Sequence, residues 1–358
     1  MEMESSIPIT VLMAVYNGEN SVGKAVESIL GQTFKDFEFL IVNDCSTDKT
    51  VDVINAFGDA RIRIIDNNKN IGQSRSLNVG LALARGEYVA RIDADDYSFS
   101  ERLKKQYQYL TKYTEYTLVG TECLVINDSN EKITVRRKYA NYEDIVIQAL
   151  TSSPVNHVSV LMKRDDILNA GGYNPDFRIL ADYELWSRLI IKGLNITNIP
   201  EVLTAYTLSE SSYGSRNKDI AIEEKTMIVQ NNIKALSNYQ IDKATVRKLI
   251  DMFESNITSM TDEEIRKTEA LYRDILLNFK PELGINVTEN KIRNLMKKNY
   301  FIEAYHYLLE KKGEETRKIV RKCILNHGAD LYSIILLLLS FLNIGGMRKL
   351  NYIRAKYL

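Results

Sequence analysis

The stretch ARGEYVARIDADDYSFSERL, from Ala84 to Leu103, sets Asp93, Asp95 and Asp96 within four positions directly behind an apolar run. Like charges this close repel, so they need bulk water or a cation. One aspartate is enough to cap the helix that the pattern starts near Ser100, and three exceed that need. An oxygen-rich cluster, poor in nitrogen and sulfur donors, suits a hard divalent ion, Mg2+ or Mn2+. Such ions bind through one or two carboxylates plus the phosphates of a substrate, so the stretch points to a phosphorylated ligand.

Upstream, two periodicities alternate. ITVLMAV (Ile9 to Val15), FEFLIV (Phe37 to Val42), RIRIID and EYVARID read as strands. Between them, SVGKAVESILGQ places Val22, Ala25, Val26, Ile29 and Leu30 at helical spacing. STDKTVDVINAF predicts a second helix with Ser46 or Thr47 as its cap, and GQSRSLNVGLALA a third. This rhythm predicts an α/β architecture, a mainly parallel sheet with helices on both faces. Ligands of such sheets bind beyond the carboxyl ends of the strands. The polar stretches AVYN, NDCSTD and DADD close three of the strands and are expected to converge on one edge. Further on, Gly171-Gly172 marks a turn, and ADYELWSRLIIKG reads as a helix closed by Gly193.

With 358 residues the chain exceeds the usual single-domain size, so a main domain plus an appendage is expected. Lys+Arg and Asp+Glu both number 47, a balance that argues against a nucleic-acid partner. Cys45, Cys123 and Cys323 are far apart with no CxxC, which supports neither a zinc site nor a disulfide framework and fits a reducing cytoplasmic location. The N-terminal MEMESSIPITVLMAVYN has acids where a signal peptide needs bases.

The chain lacks GxGxxG and GxxxxGK[ST], so neutralising a ligand's phosphates falls mainly to the metal. Tyr16 and Asp44 offer an aromatic face and a carboxylate acceptor for a base with an N–H donor, such as uracil. Asp44 equally suits the start of an Asx-turn before STDKT. Asp182, Leu185, Trp186 and Leu189 share one helical face, marked as inward by the leucines. An inward carboxylate is costly without a task or partner, although the helix dipole alone favours one in a first turn. Trp186 suits a core or a sugar platform, and His157 suits acceptor orientation or a hydrogen-bonded structural role.

Three stretches carry a resemblance: ITVLMAVYNGENSVGKAVESILGQTFKDFEFLIVNDCSTDKT, NNKNIGQSRSLNVGLALARGEYVARIDADD, and NHVSVLMKRDDILNAGGYNPDF followed by ILADYELWSRL. They are similar to family 2 glycosyltransferases of the bacterial surface-polysaccharide type, over roughly residues 7–210. The resemblance implies an A-type glycosyltransferase fold, Rossmann-like, with a helical C-terminal extension. Residues 1–215 would form the catalytic nucleotide-sugar domain, 216–330 a helical region and 331–358 an apolar and basic tail. It implies a metal-dependent (Mn2+ or Mg2+), inverting transfer of a hexosyl or N-acetylhexosaminyl group. The donor would be a nucleotide sugar, usually UDP-linked, and the acceptor a hydroxyl of a growing, lipid-linked glycan. Carried over by the resemblance, Ala14, Tyr16 and Asp44 contact the uridine, and Asp93 lies against ribose and diphosphate. Asp95, with Asp93, holds the metal, Asp96 lies near the donor sugar, and Asp182 is the catalytic carboxylate. Two departures stand out: Ala181 replaces the usual first acid before Asp182, and Leu77 sits where many relatives carry arginine, with Arg75 as the nearby substitute.

Two other classes compete. A sugar nucleotidyltransferase would want a Gly- and Lys/Arg-rich N-terminal loop, and AVYNGEN has no base. A non-catalytic nucleotide-sugar or glycan-binding subunit is left open by Ala181. The tail, LYSIILLLLSFLNI (Leu331 to Ile344), is too short to cross a bilayer, which takes about 20 residues. Arg348, Lys349, Arg354 and Lys356 follow it. That pattern fits either a helix packed on the protein or peripheral contact with the inner face of an anionic membrane.

Overall fold

Strand β1 (Ile9–Val15) is followed by helix α1 (Val22–Leu30), β2 (Phe37–Asn43), α2 (Thr50–Asn55), β3 (Ile62–Asp66), α3 (Gln73–Leu83) and β4 (Tyr88–Arg91). Then come β5 (Tyr97–Ser98), α4 (Arg102–Lys112), β6 (Tyr116–Ile126), β7 (Lys132–Arg136), α5 (Tyr142–Gln148), β8 (Leu161–Lys163), α6 (Arg164–Ala170), α7 (Ala181–Ile191) and β9 (Asn195–Thr207). The computed structural model describes residues 7–208, 216–253, 259–309 and 313–327. Residues 331–358, the apolar and basic tail, lie outside them. Among the described residues no helix is long and apolar enough to cross a membrane.

The chain divides into two compact units, residues 1–228 and 229–358, with the division inside the helix Lys218–Ser237. The first holds one sheet in the order β3-β2-β1-β4-β8-β6-β9-β5, with β7 paired to β6. β3, β2, β1 and β4 are all parallel, as the alternation of strand and helix predicts. Beyond β4 the sheet is mixed: β8 runs antiparallel to both β4 and β6, while β6 and β9 are parallel. The second unit is helical, and its helix Asp262–Leu277 opens with a capping box between Thr261 and Glu264.

Burial on both faces explains the continuous apolar strands. Ile9, Val11, Met13, Phe39 and Ile41 pack with Val22, Val26 and Ile29 of α1 in one core layer. Leu12 points to the other face, where α3 approaches so closely that a side chain at Gly80 would collide with it. The chain leaves β3 at one end of the parallel set and returns at β4 on the other side of β1. That reversal opens a crevice at the carboxyl ends of β1 and β4, the place where open α/β sheets bind ligands.

One local expectation is corrected. Helix α2 begins at Thr50, not near Ser46. Lys49 holds the N-cap position without a side-chain bond, and Asp48 just before it accepts the Thr50 N–H on its Oδ1 at 3.0 Å. Ser46 and Thr47 are engaged elsewhere: the Asn17 N–H donates to Ser46 Oγ at 3.0 Å, and the Thr47 N–H to Asn17 Oδ1 at 2.8 Å. These bonds tie the end of β1 to the end of β2.

Gly86, within the turn that opens β4, is buried against β1, and an added Cβ would lie 2.3 Å from the Thr10 nitrogen. Backbone cannot yield as a side-chain tip does, so Gly86→Ala should destabilise the fold by roughly 2 kcal/mol or more. Urea unfolding of the two proteins measures it; equal midpoints would contradict the packing.

Candidate active site

The three aspartates sit immediately beyond β4, with carboxylate oxygens within 4.8 Å of one another. Asp93 is half-buried, Asp95 exposed and Asp96 buried. Asp93 accepts from Gln73 Nε2 at 3.0 Å and from the buried Arg91 guanidinium. Asp96, expected near the donor sugar, turns into the protein, and its Oδ1 accepts the Thr207 N–H at 2.8 Å. The Thr207 hydroxyl donates to the Asp95 carbonyl at 2.6 Å, so the end of β9 clamps the whole turn. Burial and the neighbouring Asp93 and Asp95 charges hold the Asp96 carboxyl well above the usual range. Desolvation and the Asp93 charge push Asp95 up to about 6, although one edge of it stays open to solvent.

Asp96 Oδ2 is buried and has no hydrogen-bond partner among the described residues. An orphaned, buried carboxylate oxygen in an all-oxygen cluster fits a hard divalent cation, which would satisfy it and relieve the repulsion.

Across the crevice, Asp182 lies half-buried in the first turn of α7. Burial raises its carboxyl above the usual range, opposed by the Tyr183 N–H and by the Arg91 and Lys138 charges. Arg91 therefore acts on both sets of carboxylates, and its backbone is held by Arg102, which donates to the Arg91 carbonyl at 2.7 Å. The segment entering α7 is fixed by Glu224. Its carboxylate accepts the Arg178, Ile179 and Leu180 N–H groups at 2.6, 3.0 and 2.8 Å. These donors lead into an uncapped helix N-terminus, where a negative group is favoured.

The residues assigned to the nucleotide are divided. Tyr16, 50% exposed, presents an open ring at the end of β1, beside half-buried Ala14. Asp44 does not form the Asx-turn; its neighbour Asn43 accepts the Ser46 N–H, three residues on, at 3.1 Å. The buried Asp44 carboxylate accepts from Asn67 Nδ2, Ile71 N and Gly72 N at 2.9, 2.9 and 2.8 Å, fixing the loop into α3. Among the described residues Arg75 makes no hydrogen bond or ion pair with the aspartates. It is exposed and donates to the Ile71 carbonyl at 3.4 Å, while Leu77 is core. Gln73 occupies the helix face that meets Asp93.

Trp186 is fully enclosed, so its ring presents no face to an acceptor. His157 shares a 2.9 Å hydrogen bond with Tyr173 and packs edge-on to Trp186, and burial with the Arg91 charge keeps it neutral. Both belong to the wall behind Asp182. Arg91, Gln73, Thr207 and Glu224 were not singled out from the sequence. Only Arg91 left a signal there, a charge inside an apolar strand just before the acids.

Residues 10–167 match the family model Glycosyl transferase family 2. The O-antigen biosynthesis glycosyltransferase WbnJ of Escherichia coli is 32% identical over 57% of this chain and 81% of its own length. The chain belongs to glycosyl transferase family 2. It is an enzyme, a glycosyltransferase. The Escherichia coli UDP-Glc:alpha-D-GlcNAc-diphosphoundecaprenol beta-1,3-glucosyltransferase WfaP is 29% identical over 63% of this chain and 88% of its own. Among solved structures, S. aureus TarS 1–349 superposes with a TM-score of 0.54 at 15% identity, covering 90% of this chain and 93% of that one. That likeness establishes the A-type glycosyltransferase fold.

Removing Glu224 tests how α7 is held. Glu224→Ala should cost about 1–3 kcal/mol, because three backbone donors lose their acceptor. Glu224→Gln, which keeps one carbonyl oxygen, should cost less. Thermal melts of both variants check the order.

Proposed function

We propose that the enzyme transfers a sugar with inversion from a UDP-sugar to a hydroxyl of a lipid-linked glycan in surface-polysaccharide assembly. Asp182 acts as general base. The observation that carries this is the pairing, at one sheet end, of the oxygen cluster with a separate, raised-pKa carboxyl on α7. The curated relatives supply the donor and acceptor classes: WfaP is described as using UDP-Glc and a diphosphoundecaprenol-linked sugar.

The acceptor hydroxyl attacks the anomeric carbon as Asp182 takes its proton. The new oxygen–carbon bond forms as the bond from that carbon to the diphosphate oxygen breaks on the opposite face, and UDP leaves with the bonding electrons. One displacement inverts the centre, so an α-linked donor gives a β-linked product. Asp95, with Asp93 and Asp96, would hold Mn2+ or Mg2+, which supplies neutralisation of the diphosphate's charge when bound. Tyr16 offers its ring to the uracil, and Asp44 sets the loop beside it. Residues 331–358 would bring the enzyme to a membrane-borne acceptor through their apolar and basic residues.

Nucleotide binding, turnover, stability and pH dependence test the reading. UDP should raise the melting temperature only with Mn2+ or Mg2+ present, and Asp95→Asn should abolish that shift; a full shift in EDTA would remove the cation from the site. Asp182→Asn should keep the shift while turnover, read as UDP release, falls about 10²–10⁴-fold. Because the folded carboxyl has a raised pKa, its ionisation costs stability as pH climbs above the unfolded value. The asparagine variant should therefore melt no lower than wild type at neutral pH. The acid limb of wild-type kcat/KM should lie above the ordinary carboxylate range. A wild-type pH profile flat down to that range would exclude Asp182 as the base.

A further inference from the structure

The segment Arg136-Arg137-Lys138 leaves β7 on the side of the crevice nearest Asp182, and its backbone is firmly held. Asn156 Nδ2 donates to the Arg136 carbonyl at 3.4 Å, Asn198 Nδ2 to the Tyr139 carbonyl at 2.7 Å, and Thr197 Oγ1 to the Ala140 carbonyl at 2.8 Å. On this ledge Arg137 turns away to Glu122 at 3.9 Å. The Arg136 guanidinium lies 4.5 Å above the Tyr206 ring, one residue before the threonine that clamps the aspartates. Lys138 is half-buried, and its Nζ donates to the Ser153 carbonyl at 2.5 Å. An ammonium carries three N–H donors, so two of them lack an acceptor among the described residues. Among the described residues no carboxylate forms an ion pair with Arg136 or Lys138.

We propose that Arg136 and Lys138 form a phosphate-recognising acceptor subsite beside Asp182, so that the reacting hydroxyl belongs to a sugar carrying a phosphoryl group close by. This rests on the glycosyl-transfer reading and narrows its acceptor. A half-buried, unpaired cation is costly unless a ligand supplies the opposite charge. Burial, Arg136 and Lys225 together pull the Lys138 ammonium down to about 8, a cost that a phosphate would offset. A guanidinium fork beside an ammonium is suited to phosphate oxygens. Arg136, exposed over Tyr206, lies on the side of the aspartate cluster, so the acceptor rather than the donor is assigned through Lys138. Among the carboxylates it is Asp182, the group that must meet the acceptor hydroxyl, whose charge acts on Lys138. The reaction supplying this acceptor must leave a phosphoryl or diphosphoryl linkage on its sugar, as a sugar-phosphate transfer onto a lipid phosphate does.

The test uses the full chain, saturating UDP-sugar, and two acceptors: an α-linked sugar diphosphoryl-decyl and the matched decyl glycoside. The diphosphoryl compound should be favoured about 10- to 100-fold in kcat/KM, the worth of one or two charge-assisted hydrogen bonds. Lys138→Gln and Arg136→Gln should each bring that ratio towards one, mainly through acceptor KM. Equal use of the two acceptors by wild type overturns the subsite, as does an unchanged ratio in both variants. A rise in donor KM, equal with either acceptor, assigns the two bases to the donor's diphosphate and also overturns it. Calorimetric binding of the same two compounds to UDP-loaded enzyme decides the matter independently of turnover: no preference for the diphosphoryl compound refutes the subsite. Loss of donor hydrolysis and transfer, with that binding preference intact, would instead refute the transfer reading alone.

Discussion

Arg91 ends β4 with its guanidinium buried, paired to Asp93 on one side and acting on Asp182 across the crevice. Four carboxylates at one end of a sheet could not all be ionised in a folded protein without compensating charge. Arg91 supplies the fixed part of that charge from inside. The open side of the cluster, where Asp95 is exposed and Asp96 Oδ2 has no partner among the described residues, would suit a cation as the outer part. A site organised this way is stable enough to fold and remains unsatisfied enough to bind.

The same logic sets what the surrounding elements do. Thr207, at the far end of β9, uses both backbone and hydroxyl to hold the Asp95–Asp96 turn. Glu224 holds the approach to α7, and Asn78 exchanges bonds of 2.8 Å with the Tyr173 backbone in both directions. That exchange needs Gly172, whose added Cβ would lie 2.5 Å from Asn78 Oδ1. Each candidate carboxylate is thus positioned by a polar group distant in sequence, on a rigid element. Lys138 and Arg136 depart from this pattern, since their backbone is held in place but neither forms an ion pair among the described residues.

The departures from the family pattern acquire physical meaning in this frame. Leu77 is core on the inner face of α3, so an arginine could not simply return there. Arg75, two positions earlier in the helix, lies on a different face and donates to the Ile71 carbonyl. Ala181 is nearly enclosed at the start of α7, and a second acid there would have added charge beside an already desolvated Asp182.

Local pattern alone was enough for β1 to β4 and their helices, because periodicities of 2 and 3.6 and continuous apolar runs report directly which face is buried. It also pointed to the aspartate cluster and to Asp182 as candidates, because charge adjoining an apolar run is visible in one dimension. Antiparallel β8 between β4 and β6 was not legible, since three residues carry no periodicity and pairing direction is chosen by the chain's return path. Nor were the roles of Asp44, Trp186 and Glu224. A carboxylate's partners and an indole's exposure depend on residues tens of positions away, and only packing brings those together.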